Sequence, residues 1–195
     1  SQLRLRQVDI WPRFQEEINH DLGQRRADVI ELHQPLTPRM RSIQNAIIQC
    51  LEATLHQVKL SKLVTDLDDS NVEQAMYRAF DVTVRRHLDP VWHRLSPATR
   101  QLVGDLYTLR QLLHALLSYD SVSFYEYLET ILASNAPTSE PGAPQRQSQW
   151  LMSDEANLIF HEARARLWQE KQDDEGMSFE LEELPKWKLL AKVLD

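Results

Sequence analysis

Seven histidines are the residues whose chemistry would matter most if this chain were an enzyme. No His-Glu-x-x-His pattern occurs, and His87 and His93 lie on either side of Pro90, so one helix face cannot present both to a metal. His161 and Glu162 are adjacent, which separates them by about 100° on a helix. We therefore predict surface or half-buried histidines rather than metal ligands or catalytic bases.

Three aspartates, Asp66, Asp68 and Asp69, resemble the beginning of a calcium-binding loop. The glycine at the sixth place and the glutamate at the twelfth are missing, so this cluster is predicted to be a solvated turn. The four glycines each stand alone, which excludes a glycine-rich phosphate loop. Because Cys50 is the single cysteine, an internal disulfide and a thiolate zinc site are excluded too. No catalytic residue and no metal site are predicted.

Two neighbouring arginines, Arg85 and Arg86, are the best candidates for contacting a nucleic-acid phosphate. A competing interpretation pairs Arg85 with Asp81 one helical turn earlier, an interaction worth a few tenths of a kcal/mol. Residues 63–133 carry a formal charge of −4, which weakens the phosphate interpretation without excluding it.

A second pair, Arg39 and Arg41, occupies the first turn of a long predicted helix, where cations oppose the helix dipole. This misfit hints at an external anion, either a phosphate or a partner carboxylate. The alternative is a chance surface placement that costs under about 1 kcal/mol. Further along the chain, Arg164 and Arg166 are about 200° apart on a helix, so at least one is predicted to form a structural ion pair or a contact to a neighbouring lobe.

The elements that position these residues follow from the composition of the chain. It has 195 residues with 42% hydrophobic side chains, which is enough for a core, and its formal net charge is −7. An acidic total argues against a nucleic-acid binder that relies on bulk charge. No apolar stretch approaches the roughly 20 residues that cross a bilayer, and the first residues lack a signal-peptide core. We expect a soluble chain inside the cell.

Scarce glycine and long apolar series with a 3.6-residue period predict an all-α domain of about seven helices spanning 1–195. Hydroxyl or carboxylate caps, two of them followed by proline, mark four helix starts. These starts are Thr37-Pro38, Ser96-Pro97, Asp120-Ser121 and Ser153-Asp154. An earlier helix is predicted from Trp11 to Gln24. The tryptophans are predicted to be core anchors, with Trp92 at an inter-helix corner, although stacking platforms for bases are the alternative.

Two stretches break the helical pattern. Residues 134–149 contain three prolines and no large apolar side chain, which predicts a disordered loop, and residues 172–184 are predicted to be acidic and loose. Pro185 opens a last helix over 185–195, whose Trp187, Leu190 and Val193 form an apolar side without a partner in the sequence. We therefore expect an exposed apolar patch of the kind found at a domain border.

The chain carries several motifs of one family. They are Trp11-Pro12-Arg13-Phe14, Glu31-Leu32-His33, Thr37-Pro38, Phe80-Asp81-x-Thr83-x-Arg85-x-His87-Leu88-Asp89-Pro90-x-Trp92-His93, Leu102-Val103-x-Asp105-Leu106, Tyr119-Asp120-x-Val122-x-Phe124, Ala163-Arg164-Ala165-Arg166 and Pro185-Lys186-Trp187. With these motifs it resembles the XPF family, the large subunit of a structure-specific DNA repair endonuclease. The likeness runs over nearly the whole chain, and the two loops are where the chain departs from it most.

The resemblance implies that this is the helical domain inserted between two RecA-like lobes of a helicase-like module, with 185–195 beginning the border helix toward the second lobe. In that family the ATP-binding motifs of the lobes are degenerate. The nuclease signature places an acidic pair before Glu-Arg-Lys, but here Gly104-Asp105 is the only Gly-Asp and Glu-Arg-Lys is absent. The resemblance thus implies a non-catalytic chain without a cofactor, while a divalent metal such as magnesium serves a nuclease domain elsewhere.

By resemblance, the expected function is recognition of branched DNA, at single-strand/double-strand junctions, in nucleotide excision and crosslink repair in the nucleus. The expected partners are that DNA, the flanking RecA-like lobes, and repair scaffold or damage-recognition proteins, while the non-catalytic subunit binds the parent elsewhere. The tentative DNA contacts are Arg85, Arg86, Arg39 and Arg41. The alternative is a protein-docking module, with an amphipathic segment laid in a groove and little direct DNA contact. An autonomous hydrolase has no supporting residues.

Overall fold

The structure is a computed structural model, which describes residues 8, 10, 12, 14–24, 29–60, 79–136, 147–167 and 181–194. In the helix over 79–88, the side chains at 79, 81, 83, 85 and 87 lie outside the described part. The chain divides into two compact units, Ser1–His33 and Gln34–Asp195.

The described residues form seven α-helices and two short 3-10 helices, with no strand among them, so the predicted all-α class is confirmed. The α-helices are α1 (Glu16–Gln24), α2 (Pro38–Lys59), α3 (Ala79–Leu88), α4 (Pro97–Ser118), α5 (Ser121–Ser134), α6 (Asp154–Leu167) and α7 (Pro185–Leu194). The 3-10 helices are Asp89–Arg94, which connects α3 to α4, and Gln149–Met152, which precedes α6. No helix within these ranges is long and apolar enough to cross a membrane.

In the first unit, α1 begins at Glu16, so the predicted start at Trp11 is wrong. The physical reason is a turn: the Gln15 amide donates to the Pro12 carbonyl at 3.0 Å, and regular helical bonding starts only after it. Phe14, which lies within the range predicted to be helical, is in this turn and is 85% exposed. Trp11 itself lies outside the described residues.

Side-chain caps fix the starts of three helices in the second unit. Thr37 Oγ1 accepts from the Met40 amide at 3.1 Å, and Ser96 Oγ accepts from the Thr99 amide at 3.0 Å. Asp120 Oδ1 accepts from the Ser123 amide at 2.8 Å. Each cap satisfies a backbone donor that has no partner within its own helix, which confirms the predicted starts of α2, α4 and α5.

The core of the second unit lies where α2 packs against α4 and α6, with α5 packed on the far side of α6. The buried apolar series of α2 repeats every three or four residues, as an amphipathic helix requires. Its side chains meet the leucines of α4 and the small and branched residues of α6. Central members of this core are Met40, Ile43, Ile47, Leu51, Leu109, Leu112, Leu116, Phe124, Leu128 and Ile159.

The two predicted loops are described only at their ends. Residues 137–146 and 168–180 lie outside the described part, as does the predicted helical piece from Asn71. Of the acidic stretch, residues 181–184 are described in an extended conformation, and Glu182 and Leu184 are buried. The Glu182 amide donates to the Arg166 carbonyl at 2.9 Å, so this end of the stretch is held against α6.

The last helix, α7, follows this extended segment and is joined to α4, because Lys186 Nζ donates to the Leu117 carbonyl at 2.7 Å. None of its own residues is buried, and Trp187 is 51% and Leu190 55% exposed. The exposed apolar side predicted for this helix is confirmed.

Candidate functional site

An open groove of about 480 Å³ lies between α3, the 3-10 corner and α4. One wall is a row of apolar side chains spaced four residues apart on α3, Phe80, Val84 and Leu88. The opposite wall comes from α4, where Val103 and Leu106 line the space. The result is a mostly apolar concave surface, which is the usual form of a binding site.

The corner keeps these two walls apart. Pro90 cannot continue α3, because its ring blocks the helical hydrogen bond, and the chain turns through the 3-10 helix Asp89–Arg94 before Pro97 starts α4. The 3-10 helix therefore separates α3 from α4 along the chain, and the groove is the space lined by all three elements.

Trp92 forms the corner end of the groove and is 40% exposed. The predicted position of Trp92 at an inter-helix corner is confirmed, whereas the expectation that it is a buried core anchor is wrong, because the ring is partly exposed at the groove. The Arg100 guanidinium lies over the ring, with Cζ 5.8 Å from its centroid, and Nη2 donates to the His93 carbonyl at 3.3 Å. Arg100 Nε is buried without an acceptor among the described residues.

Tyr107 lies on the α4 wall, one helical turn beyond Val103, and is 52% exposed. The guanidinium of the buried Arg110 lies 5.3 Å from its ring centroid. Trp92 and Tyr107, which both line the groove, are thus each paired with an arginine of α4. Such pairs contribute about 0.5–1 kcal/mol each at exposed sites and hold the aromatic rings in place.

Gly104 also lines the groove, on the wall contributed by α4. A Cβ added there would meet no described atom within 4 Å. Glycine in a helix interior costs about 1 kcal/mol relative to alanine, and no packing against described residues explains its presence here. The α4 backbone at Gly104 therefore has open space beside it, as far as the described atoms are concerned.

Of the four arginines predicted to contact DNA, three have described side chains. Arg39 Nη1 lies 3.2 Å from Glu162 Oε2, so this arginine connects α2 to α6 through an ion pair. Arg41 is exposed and lies about 200° around α2 from Arg39. Arg86 is exposed on α3, while the Arg85 side chain, like its predicted pairing with Asp81, lies outside the described part.

The prediction that Arg164 and Arg166 point in different directions is confirmed. Arg164 is exposed, whereas the Arg166 side chain is fully buried and its Nε donates to Glu182 Oε2 at 2.5 Å. The Arg166 guanidinium also lies 5.7 Å from the Phe124 ring centroid. Arg166 is therefore a structural residue that joins the segment before α7 to α5 and α6.

A buried polar cluster joins α4 to the residues on either side of the 137–146 segment. Asp105 Oδ1 lies 2.6 Å from Ser148 Oγ and 3.0 Å from Gln101 Nε2, while Ser148 Oγ lies 2.9 Å from Asn135 Oδ1. Burial raises the pKa of the Asp105 carboxyl, and the hydrogen bonds from Ser148 and Gln101 offset part of that rise. Sequence reasoning noticed Asp105 in its Gly-Asp pair and in a family motif, but it missed this role.

Metal chemistry finds no support among the described residues, which contain no group of three histidine, cysteine or acidic side chains able to hold an ion. His93 and His161 are exposed, and the His87 side chain and the aspartates at 66, 68 and 69 lie outside the described part. A smaller cavity of about 110 Å³ lies beside Cys50 and Trp150. Burial raises the pKa of the Cys50 thiol, which disfavours a nucleophilic role.

Sequence reasoning did not find the groove, although two signals for it are present. Gly104 interrupts a leucine-rich helix at a position where alanine would be more stable. Trp92 comes soon after Pro90, the proline that ends α3, and Arg100 follows shortly beyond the 3-10 corner. Together they indicate a helix pair that is held open.

Comparison with known proteins finds relatives that are several times longer than this chain. It is 43% identical over 198 residues to the DNA repair protein rad16 of Schizosaccharomyces pombe, covering 99% of this chain and 22% of that protein. It is 38% identical over 166 residues to the DNA repair endonuclease UVH1 of Arabidopsis thaliana, covering 85% of this chain and 16% of that protein.

The DNA repair endonuclease XPF of Cricetulus griseus is 35% identical over 207 residues, covering 98% of this chain and 22% of that protein. No family profile matches the chain. The chain therefore spans about a fifth of the length of these curated relatives. Identity at this level along almost the whole chain, together with the all-α fold, shows that it belongs to the XPF family.

Proposed function

We propose that this chain acts in DNA repair as a non-catalytic docking domain of an XPF-type endonuclease, which holds a partner protein near a nuclease centre located elsewhere in the parent. The groove between α3 and α4 is the observation that carries this proposal, because it combines apolar walls with exposed Trp92 and Tyr107. Tryptophan, tyrosine and arginine are the residues that most often dominate protein–protein binding energy. The names of the relatives support the repair role.

Electrostatics also favours docking over extensive phosphate contact. The net charge is −7, and Arg39 is already paired with Glu162. A nucleic-acid interface that depends on phosphate contacts needs several cations on one face, because each contact contributes through counterion release. The described arginines are instead distributed over α2, α3, the 3-10 helix Asp89–Arg94, α4 and α6.

An inhibition experiment tests the docking function. The purified 195-residue chain is added in excess to a cell extract that performs excision repair, and also to the purified full-length endonuclease acting on naked forked DNA. We expect inhibition in the extract, because the chain occupies the partner, and no inhibition of incision on naked DNA.

Either of two other results would contradict docking. Equal inhibition in both assays would indicate competition for DNA, and no inhibition in either would show that the chain captures nothing needed for repair. As a control, the chain unfolded by heating beforehand must not inhibit.

Recognition of branched DNA is the second candidate, favoured by the exposure of Arg41 and Arg86, neither of which has an ion-pair partner among the described residues. Phosphate contacts of this kind would be weak, independent of sequence and sensitive to salt. The test is a titration of labelled forked DNA at two salt concentrations with the wild-type chain and the variants Arg85→Glu/Arg86→Glu and Arg41→Glu. Arg164→Glu, at an exposed arginine on α6, is the matched control.

If Arg85 and Arg86 contact DNA, the wild-type chain and the Arg164→Glu control bind forked DNA at low salt, and the double variant does not. If all variants bind alike, or nothing binds, Arg85 and Arg86 have no part in DNA recognition. In either case we propose that the chain itself needs no cofactor and acts in the nucleus, with a divalent metal such as magnesium confined to the nuclease domain of the parent.

A further inference from the structure

We propose that the groove between α3 and α4 receives an amphipathic α-helix of a partner protein, with its backbone close to Gly104 and one of its carboxylates on Arg100. This proposal rests on the docking function above and assigns the site and the chemistry of the occupant. Three observations carry it, namely the space at Gly104, the state of Arg100 and the spacing of the apolar side chains on both walls.

The space at Gly104 indicates close approach of another backbone. A side chain at this position would meet no described atom within 4 Å, so the described part of the chain gives no internal reason for glycine. Small residues in a helix surface let a second helix approach closely, because no Cβ separates the two backbones. Val103 and Tyr107, which flank Gly104 along α4, form the ridges beside which such a helix would lie.

Arg100 lacks a carboxylate partner within the described ranges. Its Nη2 reaches only a backbone carbonyl, and its Nε has no acceptor. An arginine held over an aromatic ring and partly removed from water gains most from a carboxylate, which matches its planar donors. The occupant therefore carries Asp or Glu at the corner end of the groove.

Asp89 lies in the same part of the groove and is exposed. The Asp89 carboxylate repels the proposed acidic residue of the partner. Asp89 therefore lowers the affinity for the partner, whereas Arg100 raises it. The opposite charges of Asp89 and Arg100 therefore predict opposite effects on affinity, which a purely apolar interaction would not. Neutralising Asp89 must strengthen binding, and neutralising Arg100 must weaken it.

The walls match the spacing of an amphipathic helix. Phe80, Val84 and Leu88 recur every fourth residue along α3, and Val103 and Tyr107 do so along α4. A helix laid between them would place apolar residues at positions i, i+3, i+4 and i+7 against both rows. A single-stranded nucleic acid, the other class of occupant with an affinity for aromatic side chains, prefers a strongly basic channel. The described lining residues of this groove include one arginine and one aspartate.

The test uses a phage-displayed library of 16-residue peptides with apolar residues at helix spacing and randomised polar positions, panned on the 195-residue chain. We expect enrichment of peptides with aromatic or leucine anchors and an Asp or Glu. Gly104→Met, which fills the groove, should weaken a selected peptide at least about tenfold, the size of a typical hot-spot loss. The matched control is His114→Met, at an exposed position of the same helix outside the groove lining, and it should change binding less than about twofold.

The charge variants complete the test. Arg100→Gln should weaken the selected peptide, Asp89→Asn should strengthen it, and replacing the acidic residue of the peptide by Gln should remove the effect of Arg100→Gln. Equal binding by Gly104→Met and wild type would overturn the groove as the site. Enrichment without acidic residues would overturn the assigned chemistry, and a lack of any enriched peptide would overturn the inference.

Two further readouts separate other occupants and keep the docking function distinct. If Gly104→Met unfolds at lower urea than wild type, a segment of this chain fills the groove, and if labelled single-stranded DNA binds and Gly104→Met abolishes it, the occupant is a nucleic acid; both results overturn the proposal. In the extract assay described above, Gly104→Met should no longer inhibit repair. Should it inhibit as well as wild type, docking stands and the groove is not its site.

Discussion

The surroundings of Asp105 and Asp120 shift the pKa of the same type of side chain in opposite directions. Burial raises the pKa of Asp105, whereas backbone and hydroxyl donors of Ser123 hold the pKa of Asp120 below its usual range. In the folded protein the charged form of Asp105 is disfavoured and that of Asp120 is favoured. The two residues therefore push the stability of the fold in opposite directions as pH changes.

The first prediction concerns Asp105→Asn. A raised folded-state pKa makes the contribution of Asp105 most favourable below its unfolded pKa, and that contribution is lost as pH rises through the folded value. We expect the variant and wild type to be similarly stable in acid, and the variant to gain relative to wild type toward neutral pH, because its amide can still hydrogen-bond Ser148 and Gln101. Urea unfolding followed by circular dichroism between pH 3.5 and 7 measures this.

Asp105→Ala is the control for lost hydrogen bonds. It removes the oxygen that Ser148 and Gln101 both contact and leaves them only their contacts to Asn135 Oδ1 and Ser148 Oγ, so it should cost about 1–3 kcal/mol. A constant stability difference between Asp105→Asn and wild type across the pH range would contradict the assigned cause.

At the scale of elements, caps determine where the helices of the second unit begin. Asp120 is the cap of α5 and its oxygens accept from both the backbone and the hydroxyl of Ser123. Because α5 supplies Phe124 and Leu128 to the core, a frayed first turn would reach the packing between α5 and α6.

The second prediction is that Asp120→Ala lowers the unfolding free energy by about 1 kcal/mol at neutral pH. A lowered folded-state pKa gives stability above the unfolded pKa that is lost as pH falls through the folded one, so the cost should shrink in acid. Asp120→Asn keeps a capping oxygen and should cost less at neutral pH. The three proteins are compared by thermal unfolding at pH 7 and pH 3, and an acid-independent cost for Asp120→Ala would argue against the charged cap.

The same elements show what the sequence can predict. Thr37-Pro38, Ser96-Pro97 and Asp120-Ser121 located three helix starts because capping is a local interaction among neighbouring residues. The resemblance identified the family for a similar reason, since its motifs are contiguous. The corner position of Trp92 followed from the neighbouring Asp89-Pro90, but its partial exposure depends on the packing of distant residues, which no local pattern encodes. The pairing of Arg39 with Glu162 was missed because 123 positions separate the two residues.

At the scale of the whole molecule, distant parts of the chain are joined by a few polar contacts. Lys186 joins α7 to the end of α4, and Arg166 joins the preceding segment to α6. The Asn135–Ser148–Asp105 cluster brings the two ends of the 137–146 segment together on α4. Each of these contacts holds a described residue of one part of the chain against an element that is distant in sequence.

The third prediction follows for the segment between Asn135 and Ser148. Doubling its length with Gly and Ser residues should lower the unfolding free energy by only about 0.6 kcal/mol, because loop closure depends weakly on length once the ends are held. The same insertion between Tyr119 and Asp120 is the control and should be far more damaging, since it separates the α5 cap from α4. Urea unfolding measures both, and equal losses would show that the polar cluster does not hold the ends.

The single thiol of the chain can report local opening motions that leave the fold intact. Cys50 is 3% exposed on α2, its Sγ lies 3.7 Å from Ser153 Oγ just before α6, and burial raises its pKa. A thiol reagent can therefore react only when α2 and the start of α6 separate briefly, and its labelling rate reports how often that happens. A ligand that binds the second unit and suppresses this opening should slow the labelling rate of Cys50. Binding can then be followed by thiol labelling without attaching a dye.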